Sequence, residues 1–221
     1  MNLAMFDLDN TLLGGDSDYL WGEFLVENGI VDGEVYEREN QRFYAAYKAG
    51  TLDIYQFLEF ALHPLATHDP AILYAWRERF VEEKIRPIML PKAAELLQRH
   101  REAGDTLLIV TATNRFVTQP IAEAFGVPHL LATEAEMKNG RYTGRTFGVP
   151  CFQHGKVQRL EYWLEATGHS LEGSWFYSDS LNDLPLLSRV THPVAVDPDE
   201  TLANHAQQQG WQVISLRACD A

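Results

Sequence analysis

Asp7 and Asp9 stand two residues apart at the end of a short apolar run, Leu3-Ala4-Met5-Phe6. In an extended chain that spacing puts both carboxylates on one face, about 7 Å apart along the backbone. Two such groups repel each other unless one is protonated or a cation lies between them. A second acidic pair, Asp179 and Asp183, follows another apolar run at 174–178. A third run, 106–110, ends in Thr111-Ala112-Thr113-Asn114 with a helical pattern behind it. Hydroxyls and free N–H groups at a strand-to-helix turn suit a phosphate oxygen, because helix N-termini favour anions. Helix capping by Thr111, Thr113 or Asn114 is the plainer use of the same residues. Lys156, after His154-Gly155, opens a further helical stretch, where the helix dipole disfavours a cation without a compensating anion.

Other uses of the first acidic pair are weaker. An EF-hand-like calcium loop needs glycine at its sixth position and glutamate at its twelfth. Those positions hold Leu12 and Asp18. A lone Asp-x-Asp can also cap a turn, but capping does not explain a second acidic strand end.

The elements that must position these residues alternate. Leu3 to Phe6 reads as a strand buried on both faces of a parallel sheet. Residues 14–90 hold no convincing parallel strand; helical spacing appears at 17–28, at 33–49, from 53 to 62 ending before Pro64, and from Asp69-Pro70 onward. The aromatic and aliphatic residues of these helices, among them Val35, Tyr36, Phe43, Tyr44, Tyr47, Ile72 and Trp76, read as core packing. Beyond Pro91, helices at 91–103, 115–125 and 154–167 alternate with strands at 106–110, 129–133 and 174–178. A short helix near 182–188 and strands near 193–196 and 212–216, with a helix between them, complete the pattern. Asn139-Gly140 is a strong hairpin signal. The expected fold is α/β, a Rossmann-like doubly wound parallel sheet with a helical insertion after the first strand. The expected division is a core of 1–14 and 86–221 and a helical cap of 15–85.

Composition narrows the function classes. At 221 residues, with 46% hydrophobic and 22% charged residues, the chain has the make-up of a soluble globular protein. No apolar stretch approaches the roughly 20 residues of a membrane span, and no signal peptide is seen. Only Cys151 and Cys219 are present, so no disulfide framework is expected, and the default location is cytoplasmic. A net charge of −13 argues against a nucleic-acid surface and works against long-range attraction of an anion. An anionic substrate therefore needs local devices: a divalent cation, a lysine and backbone N–H groups.

Asp7-x-Asp9-x-Thr11, Thr111, Lys156 and Ser178-Asp179-x-x-x-Asp183 resemble, in order, the four motifs of the haloacid dehalogenase (HAD) superfamily. The insertion after the first motif is similar to the phosphoserine-phosphatase-like branch. The resemblance implies a phosphatase working through an aspartyl-phosphate. Asp7 would be the nucleophile and Asp9 the general acid/base, which dehalogenases of the superfamily lack. Thr11, Thr111, Ala112 and Lys156 would bind substrate. Mg²⁺ would sit among Asp7, Asp9 (through its carbonyl), Asp179 and Asp183.

For the substrate, a small phosphorylated metabolite, the resemblance gives Asp16 the ammonium group. The basic cap residue expected for a phosphoserine carboxylate is missing, since Glu59, Phe60 and Ala61 occupy its place. Arg42, Lys48 or Arg77 would have to substitute. An amino-alcohol phosphate such as histidinol phosphate fits better, with cap Trp and Tyr residues available to stack on imidazole. Phosphoserine is the alternative. A phospho-accepting signalling or binding module is the alternative of another class, although receiver modules are about half this length and lack the insertion. The expected assembly is a monomer or a homodimer.

Overall fold

The structure, a computed structural model, describes residues 2–217. Strand β1 (Leu3–Phe6) is buried throughout and lies at the centre of a seven-stranded sheet. It pairs in parallel with β2 (Thr106–Asn114) on one side and β5 (Trp175–Ser178) on the other. Strands β3 (His129–Lys138) and β4 (Arg141–Phe147) extend the sheet beyond β2; β6 (His192–Val196) and β7 (Gln212–Ile214) extend it beyond β5. Only β4 runs antiparallel to its neighbour. The chain builds outward from β1 through β2 and β3, then crosses back to lay β5 against the other edge of β1. Such a reversal opens a crevice beyond the carboxyl ends of the strands. Asp7, Thr111 and Asp179 all lie at that end.

Alternation along the strands explains why both faces are covered. Ala4, Phe6, Leu107 and Ile109 belong to one apolar cluster, and Leu3, Met5, Leu108 and Val110 to the other. Helices α1 (Ser17–Glu27), α2 (Gly33–Lys48), α3 (Ile54–Thr67) and α4 (Pro70–Phe80) form the insertion. Each starts at an aspartate, Asp16, Asp32, Asp53 and Asp69, whose side chain accepts from first-turn N–H groups. Each such cap contributes roughly 1 kcal/mol. Helices α5 (Pro91–Glu102), α6 (Arg115–Ala124), α7 (His154–Thr167), α8 (Leu184–Leu187) and α9 (Glu200–Gln209) belong to the alternating part.

Several elements differ from the sequence expectation. Helix α3 does not stop before Pro64 but runs to Thr67 with the proline inside. Tertiary packing outweighs the lost hydrogen bond: Leu62, Pro64 and Leu65 are buried, and a Cβ added at Gly144 of β4 would lie 3.1 Å from Ala66 Cβ. The insertion's aromatics are not all its own core. Trp21, Phe24 and Phe80 share one cluster with Phe6, Leu8 and Phe116 of the sheet side, while Val35 and Ile72 are each 47% exposed. Strand β3 continues past residue 133 because the Asn139-Gly140 turn, with φ of 51° and 75°, pairs its far end with β4. Two positive φ values suit a tight hairpin. Cys151 is a buried free thiol; Cys219 lies outside the described residues. Among the described residues no helix is long and apolar enough to cross a membrane.

Candidate active site

The segment after β1 leaves the sheet and at once folds back. Asn10 adopts φ of 58°, and its N–H donates to Gly15 O (2.9 Å). The insertion begins and ends side by side: Gly14 N–H donates to Ile88 O (2.7 Å), and Leu13 bridges Met89. Gly14 and Gly15 do not use left-handed conformations. They are small because Leu90 and Ile88 pack against them, each 3.3 Å from where a Cβ would lie.

Lys156 lies at the base of the crevice. Its Nζ is 2.7 Å from Asp7 Oδ1 and 2.7 Å from Asp183 Oδ1, with all three side chains almost fully buried. Gly155 makes this possible. It lets the start of α7 approach the Pro150 carbonyl so closely that any Cβ would collide with that oxygen. Burial works against the ammonium, but Asp183 and Asp7 outweigh it and push the Lys156 pKa well above its usual value. Burial raises Asp7, opposed by Lys156 and reinforced by Asp183, Asp179 and Asp9.

Asp9 is held by two donors. Ser17 N–H, in the first turn of α1, donates to Oδ1 (2.7 Å), and the Thr113 hydroxyl donates to Oδ2 (2.8 Å). Burial raises its pKa against these bonds, which favours a protonated acid. The cap of α6 is Asn114, whose Oδ1 accepts from Val117 N–H (3.2 Å). Thr111 and Thr113 are thereby released from capping. Thr111, Ala112 and Thr113 line a cavity together with Asp7, Asp9 and Lys156.

Not every expected contact is formed. The buried Thr11 hydroxyl accepts from Asp179 N–H (3.1 Å) and donates to Asp179 Oδ1 (3.1 Å). Thr11 thus orients Asp179 and is absent from the cavity lining, contrary to its expected role in substrate binding. Asp183 accepts from Lys156 and, at Oδ2, from the Ser178 hydroxyl (2.7 Å), so it anchors the lysine. Arg42 projects from α2 into solvent, pairs with Glu39 (2.9 Å) and covers the Phe43 ring; it does not line the cavity. Lys48 and Arg77 are also missing from that lining. Burial and Asp183 push Asp179 up to about 7.

Asp16 does face the cavity. It also caps α1, accepting from Asp18 N–H (3.0 Å) and Tyr19 N–H (2.9 Å). Burial and the nearby Asp9 push it up to about 7. Asp18 and Asn182 line the same cavity and were not singled out in the sequence; an acid in a first helical turn is ordinary and gave no separate signal. Its aromatic walls come from Tyr19, Phe43, Tyr44, Tyr47, Phe57 and Phe152. Tyr47 bridges insertion and sheet: its hydroxyl lies 3.4 Å from Ser180 Oγ, and its carbonyl accepts from Asn182 Nδ2 (3.3 Å).

A doubly wound sheet with two acidic strand ends gathered around one buried lysine defines a Rossmann-like α/β protein whose site chemistry is centred on carboxylates. Residues 4–188 match the family model described as haloacid dehalogenase-like hydrolase, and the chain belongs to that family as one of its phosphatases. It is 42% identical over 220 residues to the histidinol-phosphatase of Neisseria meningitidis serogroup C (strain 8013), covering 98% of this chain and 99% of that protein. A crystal structure of a protein of unknown function from Bordetella pertussis Tohama I superposes with a TM-score of 0.92 at 48% identity, covering 98% of this chain and 99% of that one. A phospho-aspartyl intermediate analogue of phosphoserine phosphatase shares the fold, with a TM-score of 0.70 at 19% identity over 98% of this chain and 93% of the other.

Proposed function

We propose that this chain hydrolyses an amino-alcohol phosphate, histidinol phosphate being the best fit, with Asp7 as nucleophile. The observation that carries this reading is the cavity lining. Beyond the catalytic pair and Asp183, which is paired with Lys156, it offers two further carboxylates, Asp16 and Asp18, and several aromatic rings, with Lys156 as its one cation among the described residues. A substrate ammonium complements that lining. The carboxylate of phosphoserine would enter beside Asp16 and Asp18 with no arginine to receive it, and an uncompensated buried charge is costly. The 42% identity to a histidinol-phosphatase supports the same choice.

In this mechanism Asp7 attacks phosphorus and the alkoxide leaves as a phosphoaspartate forms; water then cleaves the acyl phosphate. Lys156, the Thr111 hydroxyl and the Ala112 N–H stabilise the charge on the transferring group. Asp9, protonated at the outset, gives its proton to the leaving oxygen and then accepts one from the attacking water. The helical insertion, residues 15–85, acts as a cap over the core of 1–14 and 86–221 and chooses the substrate.

The donor set fits Mg²⁺. Asp7, Asp179 and the Asp9 carbonyl are hard oxygen ligands, and Mg²⁺ retains waters and takes a phosphate oxygen, so it needs no all-protein cage. Among the described residues no three acidic, histidine or cysteine side chains form such a cage. When bound, the ion would offset the charge that Asp7, Asp9 and Asp179 impose on one another and on the phosphate.

Phosphate release across phosphorylated amino alcohols, amino acids, sugars and nucleotides tests the reading. Histidinol phosphate should exceed phosphoserine by at least about tenfold in kcat/KM, the effect of one mismatched charge. Equal or better turnover of phosphoserine would overturn it.

A further inference from the structure

Asp18 differs from every other carboxylate of the cavity in how little holds it. Asp7 and Asp183 share Lys156, and Asp9 has two short donors. Asp16 spends Oδ1 on the first turn of α1. Asp18 has a single long contact, Asn114 Nδ2 to Oδ1 at 3.5 Å, and no ion pair is formed with it among the described residues. Asn114 is itself fixed by its cap bond to Val117, so it cannot move freely toward Asp18. A partly buried carboxylate with one weak donor has capacity left for a ligand that supplies hydrogen bonds or positive charge.

The cavity places Asp18 where a ligand can do so. Asp16 and Asp18 both line it, together with Tyr19, Asn40 and Phe43. Their neighbours restrict what can fit. Gly22, one turn along α1, admits Tyr36 and Asn40 against the helix: a Cβ there would lie 2.9 Å from Tyr36 Cε1 and 2.7 Å from Asn40 Nδ2. Asn40 is thereby held beside α1, and the wall around Asp18 is partly aromatic, with Tyr19 and Phe43 beside the carboxylates. A planar N–H-bearing ring matches that lining, since its face contacts apolar surface while its edge donates to the acid.

We propose that Asp18 is a specificity-determining residue that receives a second nitrogen centre of the substrate, a planar ring N–H or ring cation, while Asp16 receives the ammonium. The site then selects phosphate monoesters with two separated basic nitrogens over those with one. This rests on the amino-alcohol phosphate reading above and adds to it the residue that recognises the ring. A second acid also repels substrates that carry a carboxylate.

The test compares wild type and Asp18→Asn on histidinol phosphate and on phosphoethanolamine, which has the ammonium but no ring. The change is isosteric, and turnover of phosphoethanolamine reports whether the site remains assembled. The kcat/KM ratio between the two substrates should fall by about ten- to a hundredfold, the usual value of one charge-assisted hydrogen bond, mainly through KM of histidinol phosphate. Asp18→Glu should recover part of that ratio. An unchanged ratio, whether both activities drop together or neither moves, overturns the assignment of Asp18. A wild type that prefers a phosphate without an ammonium would instead overturn the underlying function, so the two failures are distinguishable.

Discussion

Lys156 and Asp7 are separated by 149 positions in sequence, yet the lysine Nζ lies 2.7 Å from the Asp7 carboxylate. The second partner of that ammonium, Asp183, holds it at the same distance from the other side. Lys156→Met removes both contacts and leaves two buried carboxylates without a cation. It should lower kcat by about 10²–10³, the cost of losing one oxyanion-stabilising group. It should also cost about 3–5 kcal/mol of stability. Turnover within tenfold of wild type in a folded variant would remove Lys156 from the chemistry.

Asp7→Asn should abolish turnover and phosphoenzyme formation while far-UV circular dichroism stays that of the wild type. An amide is a poor nucleophile toward phosphorus but fills the same volume and can still accept from Lys156. Residual activity near the wild-type level would show that another group attacks.

Thr113→Val removes the hydroxyl that donates to Asp9 Oδ2. The acid/base would then be held only by Ser17 N–H and would turn more freely. For an alkyl phosphate, whose leaving group must be protonated, kcat should fall about tenfold or more. An activated aryl phosphate, which leaves without a proton, should suffer much less. Equal losses on both esters would mean that Thr113 serves the phosphate site and not Asp9.

Burial and Asp9 push Asp16 up to about 7, so the free protein loses that negative charge as pH falls through neutrality. Relative to an aryl phosphate, kcat/KM for an amino-alcohol phosphate should decline below pH 7, and Asp16→Asn should flatten that ratio. The stability consequence has the opposite direction. A carboxyl with a raised folded-state pKa binds more protons folded than unfolded, so its contribution is greatest below its unfolded value and is lost as pH rises toward 7. The melting temperature of Asp16→Asn minus that of wild type should therefore be larger at pH 8 than at pH 5. Asparagine keeps the helix cap, which limits the comparison to charge.

EDTA should silence the protein and Mg²⁺ restore it. Asp179 also stands near 7 through burial and Asp183, so the ion must compete with a proton for it below neutrality. Added Mg²⁺ should raise the melting temperature more at pH 8 than at pH 5. An equal shift at both would place the ion away from Asp179.

Much of this protein was legible in its chain because the relevant signals are local. A buried strand must be apolar and must end somewhere, so Asp7 and Asp179 mark the ends of β1 and β5 wherever those strands lie. Asp69-Pro70 announces the start of α4, and Asn139-Gly140 announces the hairpin, since caps and tight turns depend on a few adjacent residues. The order of strands and helices was enough to imply a parallel sheet with both faces covered. Partnership was decided only by the tertiary structure. Asp183 lies four positions after Asp179, but only the start of α7 brings Lys156 between it and Asp7. Thr11 looks like a substrate contact until β5 places Asp179 against its hydroxyl. Arg42 and Asp18 exchange importance for the same reason: helix packing turns the arginine to solvent and the aspartate to the cavity. Spacing in sequence tells which residues share a face of one element. Which face meets which, across more than a hundred residues, is set by how the sheet and its insertion pack.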